Sequence, residues 1–433
     1  MENMEQINNL TEENISQYQL ESLQHVLNRA YKRVNFYKNV MDKKGIMPEQ
    51  IEKTSDLSLL PFTTRDDLAL NYPYNFFAVP LRDIVRLHTL KMPFGNPVII
   101  GYTKSDIETR RLLFAQFFKS CAIGQEDIIQ IYLEKGMAVW GSELKEGAEY
   151  LGALTIPPDP LNLQSLLMVM RDFKTTALIT TPTAMQNILH EIQKNEIPVA
   201  GLSLKKILFI GEYLDKNTRN QLKDRLSVDC YSFYGLIELG GPCAFECEAQ
   251  NGLHIAMEHF IPEIIDPLTG ENLPAGSEGE LVLTTLRSKA NPLIRFRTGD
   301  ITSIILQRCD CGRHEWRIAP VSKTSDKRVN IRGIKINLFQ IKDFLRNYNM
   351  HQTRYLFVAR DFTYKKEPEL WLVMDNKNFS GSLPQLHKLL LTMETDFEDI
   401  FGLYCSIKPV ELSALEQYKI GDRLFLEIKE DIK

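Results

Sequence analysis

Residues 231–254 read YSFYGLIELGGPCAFECEAQNGLH. The run 228–233 leading into them is apolar and β-prone, and the pattern breaks at Tyr234-Gly235, where a strand is expected to end in a turn. Glu238 follows just past that turn, at the opening of a Gly-rich segment, and Cys243 and Cys247 come after it. An aromatic ring, a glycine and a carboxylate at the carboxyl end of a strand form a ligand-binding arrangement in α/β folds, because strand ends open onto the crevice between covering helices. Tyr-Gly turns are also common structural elements. The reading therefore depends on what surrounds this one.

Upstream, short β-rich runs alternate with amphipathic ones. Residues 128–133, 153–156, 177–180 and 206–210 read as strands, and 161–173, 183–194 and 216–226 as helices. That alternation predicts an α/β fold, a parallel sheet with covering helices. Nearer the start, Leu20, Leu23, Val26, Leu27 and Ala30 form a helical stripe. Thr63 or Thr64 can cap a helix through 66–70, and 107–118 is a further amphipathic helix. From Glu263 the pattern changes to a turn-rich β meander, with 264–266, the turn DPLTG at 266–270, 279–286 and 302–306. Near Ser325-Asp326-Lys327 it changes again. Beyond lie a strand pair at 328–336 broken at Gly333, a helix at 338–348, strands at 353–359 and 370–375, and a helix at 382–397. The expected organisation is a large domain, 1–325, and a small α+β domain, 327–433.

Bulk properties narrow the function. A chain of 433 residues, 44% hydrophobic, can bury a large core. Net charge is -5, so no basic field points to nucleic acid. No apolar run approaches the ~18 residues of a membrane span. The start, MENMEQINNLTEEN, is acidic and polar, unlike a signal or transit peptide, and seven cysteines do not make a disulfide framework. A cytoplasmic protein is expected, with a homodimer left open.

Several motifs recur in a fixed order: LPFTTRDDL (60–68), NYPYNFFAVP (71–80), YGLIELGGP (234–242), GELVLTTL (279–286), PLIRFRTGDIT (292–302), CDCGR (309–313) and VNIRGIKI (329–336). Together they resemble the phenylacetate–CoA ligase branch of the adenylate-forming enzymes, almost end to end. The resemblance implies a large N-terminal AMP-binding domain and a small mobile C-terminal one, hinged near Asp326. It implies ATP, Mg²⁺ and coenzyme A, and a carboxylic acid, expected to be aromatic, joined to AMP and then to a thiol. By position, Tyr234 should stack on adenine, Gly235 should let the backbone approach and Asp300 should bind the ribose hydroxyls. Gly211, Glu212, Arg332 and Gly333 join that nucleotide set, and Glu238 should hold Mg²⁺. The acid is expected around 132–141, Gly211-Glu212 and Gly240-Gly241, although core packing explains Met137, Trp140 and Phe233 equally well.

Four departures fall on phosphate-handling positions. Where the family has Ser-Ser-Gly-Thr-Thr-Gly-Lys-Pro, residues 90–97 read LKMPFGNP. Pro93 lacks an N–H, Met92 and Phe94 add bulk, and only Lys91 keeps a charge. Ile237 and Thr324 replace a threonine and an arginine, and the catalytic-lysine position aligns with Asp422. Lys91, Lys419 and Arg423 are the cations left to substitute.

A metal pattern accompanies these. Cys247, His254, Cys309 and Cys311 match the family's ligand positions and suit tetrahedral Zn²⁺ in a closed structural site, with Cys243 a competitor for Cys247. Three functions remain: a ligase with altered phosphate contacts, a non-catalytic binder or ATP-independent acyl transferase, and a partner-binding pseudoenzyme.

Overall fold

The computed structural model describes residues 12–90, 96–156, 163–198, 201–325, 328–350, 352–362, 365–374, 381–416 and 425–429. The N-terminal stripe is two helices, α1 (Glu12–Arg33) and α2 (Asn35–Lys44), separated by extended backbone at Val34. α3 (Arg65–Leu70) starts at Thr64. The Thr64 hydroxyl accepts from the Asp67 amide while Asp67 accepts from the Thr64 N–H, a reciprocal cap that fixes Arg65 at the first helical position. An antiparallel hairpin follows, β1 (Ile84–Leu90) and β2 (Val98–Thr103), then α4 (Lys104–Ser120).

The α/β unit runs β3 (Ile128–Ile131), α5 (Ala138–Leu151), β4 (Leu154–Ile156), α6 (Leu163–Asp172), β5 (Ala177–Thr180), α7 (Pro182–Lys194), β6 (Lys206–Phe209), α8 (Lys216–Leu226) and β7 (Asp229–Leu236). β7, β6, β5, β3 and β4 lie side by side, all parallel. Their near-continuous apolar composition follows from burial on both faces, with alternate residues pointing to opposite sides. Leu178, Ile207, Phe209 and Cys230 pack with side chains of α6–α8, while Ala177, Ile179, Leu208, Tyr231 and Phe233 pack with Phe114, Phe117 and Leu144.

β7 does not end at Tyr234-Gly235. It continues to Leu236 with a register shift at that pair, because β8 (Gly241–Phe245) offers it an antiparallel partner. The reversal lies instead at Gly240-Gly241, with φ of 84° and 141°, where a side chain would be strained. β9 (Leu253–Ile255) extends this sheet, and β10 (Phe260–Ile265), β11 (Gly279–Thr285) and β12 (Phe296–Thr302) form the meander. The strand expected at 302–306 is only β13 (Ile304–Ile305). With β14 (Arg317–Ile318), β13 forms the edge of a nine-stranded sheet, and β15 (Lys323–Thr324) returns to pair with β12.

The C-terminal lobe begins with a hairpin, β16 (Arg328–Ile331) and β17 (Ile334–Asn337), then α9 (Leu338–Arg346). β18 (Tyr355–Phe362), β19 (Lys365–Val373), α10 (Leu383–Phe401), β20 (Ser406–Val410), α11 (Leu412–Glu416) and β21 (Phe425–Lys429) complete it. Its sheet runs β20-β19-β18-β21 and carries its own core of Ile331, Ile336, Phe344, Phe357 and Phe397. Among the described residues, no helix is long and apolar enough to cross a membrane.

Candidate functional site

The parallel strands point their carboxyl ends at a cleft of about 1320 Å³ between the two lobes. Gly211 and Glu212 follow β6, and Tyr234, Gly235 and Glu238 lie at and beyond the end of β7. Asp300 enters from β12, which brings together residues far apart in sequence.

Asp300 is fully buried and heavily engaged. The Tyr234 hydroxyl donates to it at 2.8 Å, and the Lys335 ammonium donates to both carboxylate oxygens at 2.7 Å. Arg328 Nη2 lies 3.7 Å away and donates to the Thr298 carbonyl at 2.6 Å. Burial pushes the Asp300 carboxyl upward, but Lys335 and Arg328 outweigh it and hold the group below the usual range. Burial likewise pulls the Lys335 ammonium down, opposed by Asp300.

Glu238 is paired rather than open. Arg65 Nε sits 2.5 Å from its carboxylate and Arg65 Nη1 donates to the Thr298 carbonyl at 3.1 Å. Burial raises Glu238, but the guanidinium dominates and the carboxyl stays below its ordinary range. Glu212 is committed too, accepting from the Thr183 amide at 2.9 Å and hydroxyl at 3.0 Å at the start of α7.

The hairpin β16–β17 reaches into the cleft with one face. Asn330 and Lys335 are cross-strand partners, as are Arg328 and Asn337, so these four share a face while Ile331 and Ile336 point into the lobe's core. Asn330 donates to the Gly211 carbonyl at 2.6 Å. Gly333 packs directly on Gly211: a Cβ on Gly211 (φ 82°) would lie 2.8 Å from the Gly333 Cα. Arg332 turns away and pairs with Glu134 at 2.5 Å, outside the cleft lining.

The expected acid pocket is present only in part. Lys135–Trp140 line the cleft, with Phe233 and Gly235. Tyr132 does not, because strand alternation turns it toward the α6–α8 core. Gly240 and Gly241 do not line it either, and the space of a Gly240 Cβ holds Arg110 Nη1 at 2.7 Å. The apolar end is closed by Trp140, whose ring packs against Phe114 and Phe233 and reaches within 2.9 Å of a Gly235 Cβ. Ile237 lines the cleft, and Thr324 pairs with Asp300 along the β12–β15 ladder. Lys91, Asp326, Lys419, Asp422 and Arg423 lie outside the described residues.

Away from the cleft, Cys247, His254, Cys309 and Cys311 converge, with donor atoms all within 4.8 Å of one another. Cys247 and Cys309 sulfurs are 3.6 Å apart, and Cys311 Sγ lies 3.4 Å from His254 Nε2. Metal–sulfur bonds of about 2.3 Å and metal–nitrogen bonds of about 2.0 Å at tetrahedral angles require separations of about 3.8 and 3.5 Å, so the donor set fits zinc. Burial, with Arg313 and Arg317, lowers His254 to about 4, so its imidazole is neutral near pH 7 and able to ligate. Burial pushes the Cys247 thiol up to about 12, whereas contacts from Cys311 outweigh burial and pull Cys309 down. Cys243 stands apart, its sulfur near the Gly241 carbonyl.

Arg65, Arg328, Asn330 and Lys335 were not singled out from sequence. The signal was there for the last three: RVNI and IKIN alternate polar with apolar residues on either side of the turn.

The AMP-binding enzyme family matches residues 148–286. A phenylacetate–coenzyme A ligase from Aromatoleum evansii is 32% identical over 426 residues, 96% of this chain and 95% of that protein. One from Pseudomonas putida is 34% identical, covering 78% of this chain and 79% of its own. Among solved structures, 2-hydroxyisobutyryl-CoA ligase with 2-HIB-AMP and CoA in the thioesterification state superposes with TM-score 0.88 at 19% identity, covering 98% of this chain and 92% of that one. The same ligase in the postadenylation state, with R3-HIB-AMP, gives 0.69 at 18% identity, covering 97% and 90%.

Proposed function

The chain belongs to the phenylacetate–coenzyme A ligase family of AMP-binding enzymes, and on that premise we propose that its cleft takes the adenylate of a carboxylic acid with coenzyme A, while ATP-driven adenylation is impaired. One observation carries this reading. Tyr234, Gly211 and Asp300, the residues expected to hold adenosine, meet in one cleft, while Glu238, the residue expected to hold Mg²⁺, is ion-paired with Arg65 at 2.5 Å. As it stands, Glu238 is not presented to a metal ion. The substitutions at 90–97, Ile237, Thr324 and Asp422 point the same way, since losing one preorganised donor to a developing charge costs ~10²–10³ in rate.

The chemistry left to the chain's residues is orientation. Asp300 accepts from ribose hydroxyls, the Gly211–Gly333 junction admits only backbone, and the Trp140 wall sets the acyl group's depth. Attack of the coenzyme A thiol on the acyl carbonyl forms the C–S bond as the C–O bond to the phosphate breaks, AMP leaves, and its phosphate can take the thiol proton. The lobes superpose better on the solved ligase in its thioesterification state, TM-score 0.88, than on its postadenylation form at 0.69 or on its open form at 0.67, which also holds 2-HIB-AMP and CoA, and this supports a thioester-forming arrangement. The division into two domains near residue 326 belongs to the same reading. Cys247, His254, Cys309 and Cys311 would hold a structural zinc, whose four protein ligands leave no open position for catalysis.

The test compares acyl-CoA formation from ATP and a panel of acids with formation from pre-made acyl-adenylates. The expected result is activity with acyl-adenylate and near-background activity with ATP. Ordinary turnover from ATP, on the order of 1–10 s⁻¹, overturns the reading. If neither substrate is turned over but AMP still binds, the non-catalytic binder is favoured.

A further inference from the structure

Arg65, Arg328 and Lys335 face Glu238 and Asp300 across the cleft floor, three cations against two carboxylates. The guanidiniums are also tied to the large domain's backbone, both donating to the Thr298 carbonyl. Lys335 is held differently. Among the described residues its hydrogen bonds go to Asp300 alone, with the Tyr234 ring 5.9 Å from its nitrogen.

Counting acceptor sites shows why this matters. An ionised carboxylate offers about four lone-pair sites. Tyr234 occupies one and Lys335 two, one on each oxygen. A ribose that presents both hydroxyls needs two, so Lys335 and a doubly bonded ribose cannot hold Asp300 together. The hairpin itself need not move, because Asn330 anchors it to Gly211 directly across from Lys335. Only the four-carbon side chain must swing. An ammonium released beside the Arg65 and Arg328 guanidiniums is best satisfied by another anion. The phosphate of an adenylate, one methylene from its ribose, lies within that side chain's reach.

Resting on the adenylate reading above, we propose that Lys335 is a handover cation: it pairs with Asp300 until ribose hydroxyls displace it, and then donates to the phosphate of the bound adenylate. The C-terminal lobe would thus supply from its first hairpin a positive charge that position 422 no longer provides. No bond is made or broken in this exchange, and no metal ion is needed.

Calorimetry with adenosine and AMP, on the full chain and its Lys335→Gln and Lys335→Arg variants, tests it. Removing the ammonium frees Asp300, so adenosine should bind Lys335→Gln several-fold more tightly than wild type. AMP should bind it more weakly, by on the order of tenfold, through loss of a charge-assisted hydrogen bond. Lys335→Arg keeps the charge and should keep the preference for AMP. A purely structural role predicts that both ligands weaken together in Lys335→Gln, and that outcome overturns the proposal, as does no change in either. Loss of the AMP preference in Lys335→Arg also overturns it, and this variant still decides the matter should Lys335→Gln not fold. Failure of wild type to bind adenosine or AMP at all would sink the adenylate reading itself. Binding of both with an unmoved ratio would sink only the role of Lys335.

Discussion

Replacing Cys309 with serine should remove zinc and lower the melting temperature by roughly 5–10 °C. The magnitude comes from how the site ties the chain. Cys247 and Cys309 are separated by 62 residues, and their sulfurs sit 3.6 Å apart. A cross-link closing such a loop restricts the unfolded chain by about 4 kcal/mol, on the chain-entropy relation used for disulfides. The rest of this edge is held by short ladders and by the buried Arg317, which donates to the Asn251 and Gln307 carbonyls. β13 and β14 hold two residues each, and β14 meets β9 only at Arg317–His254 and Ile318–Leu253. Hydrogen bonds here contribute about 0.5–3 kcal/mol apiece net, so the metal would be the largest single contribution at this edge. Elemental analysis of purified protein should find about one equivalent of zinc. Chelation should reproduce the loss of melting temperature seen with Cys309→Ser. Metal-free wild-type protein that melts where the metal-loaded protein does would refute the reasoning.

The other predictions are mutational and pH-dependent. Gly235→Ala places a methyl 2.4 Å from the Gly241 carbonyl oxygen and 2.9 Å from the Pro242 Cα, both backbone atoms, and should cost about 1–3 kcal/mol in chemical denaturation. Gly124→Ala, with nothing within 4 Å, is the control, and equal effects would contradict the packing argument. Arg295→Met breaks a buried pair with Glu263 at 3.0 Å and strips donors from the Leu60 and Ser58 carbonyls. It should destabilise by about 3–5 kcal/mol, and a loss under 1 kcal/mol would show that the pair is dispensable. Burial lowers His259 to about 3, so between pH 6.5 and 3 the unfolded chain binds the extra proton. Its contribution is therefore complete above pH 6.5 and lost as pH falls toward 3. His259→Phe should flatten the acid limb of the stability profile, and an unchanged limb would count against it.

The sheet was legible because alternation of apolar strands with amphipathic helices is a local property, and β5 and β6 bury both faces as their composition requires. The end of β7 was misread because Tyr234-Gly235 looks like a turn until β8 is known to pair with it. The convergence of Cys247, His254, Cys309 and Cys311 could be anticipated from the family positions they match, whereas residue type and spacing alone are a weak signal. The Arg65–Glu238 pair could not, since 173 residues separate them and neither carries a local mark of the other. Arg328, Asn330 and Lys335 fall between. Their alternation with Val329, Ile331, Ile334 and Ile336 marks a polar hairpin face, but only the fold shows that this face meets Asp300 and Gly211.

The chain at Thr324 and Ser325, ahead of the C-terminal lobe, is pinned beside the carboxylate. Thr324 pairs with Asp300, the Ser325 amide donates to the Gly299 carbonyl at 2.8 Å, and the Ser325 hydroxyl reaches Glu280 at 3.1 Å. The arrangement is that of a drawing compass with its needle set next to Asp300. Arg328, three residues beyond Ser325, cannot travel further than about 10 Å from it whatever the lobe does. Residues at the pencil end are free of that limit, notably Gly402, whose carbonyl accepts from the Gly136 amide at 3.0 Å. A fluorophore pair on Lys135 and Glu398, exposed side chains 3.9 Å apart, would record the whole arc of any rotation, while a pair beside the needle would record almost none of it.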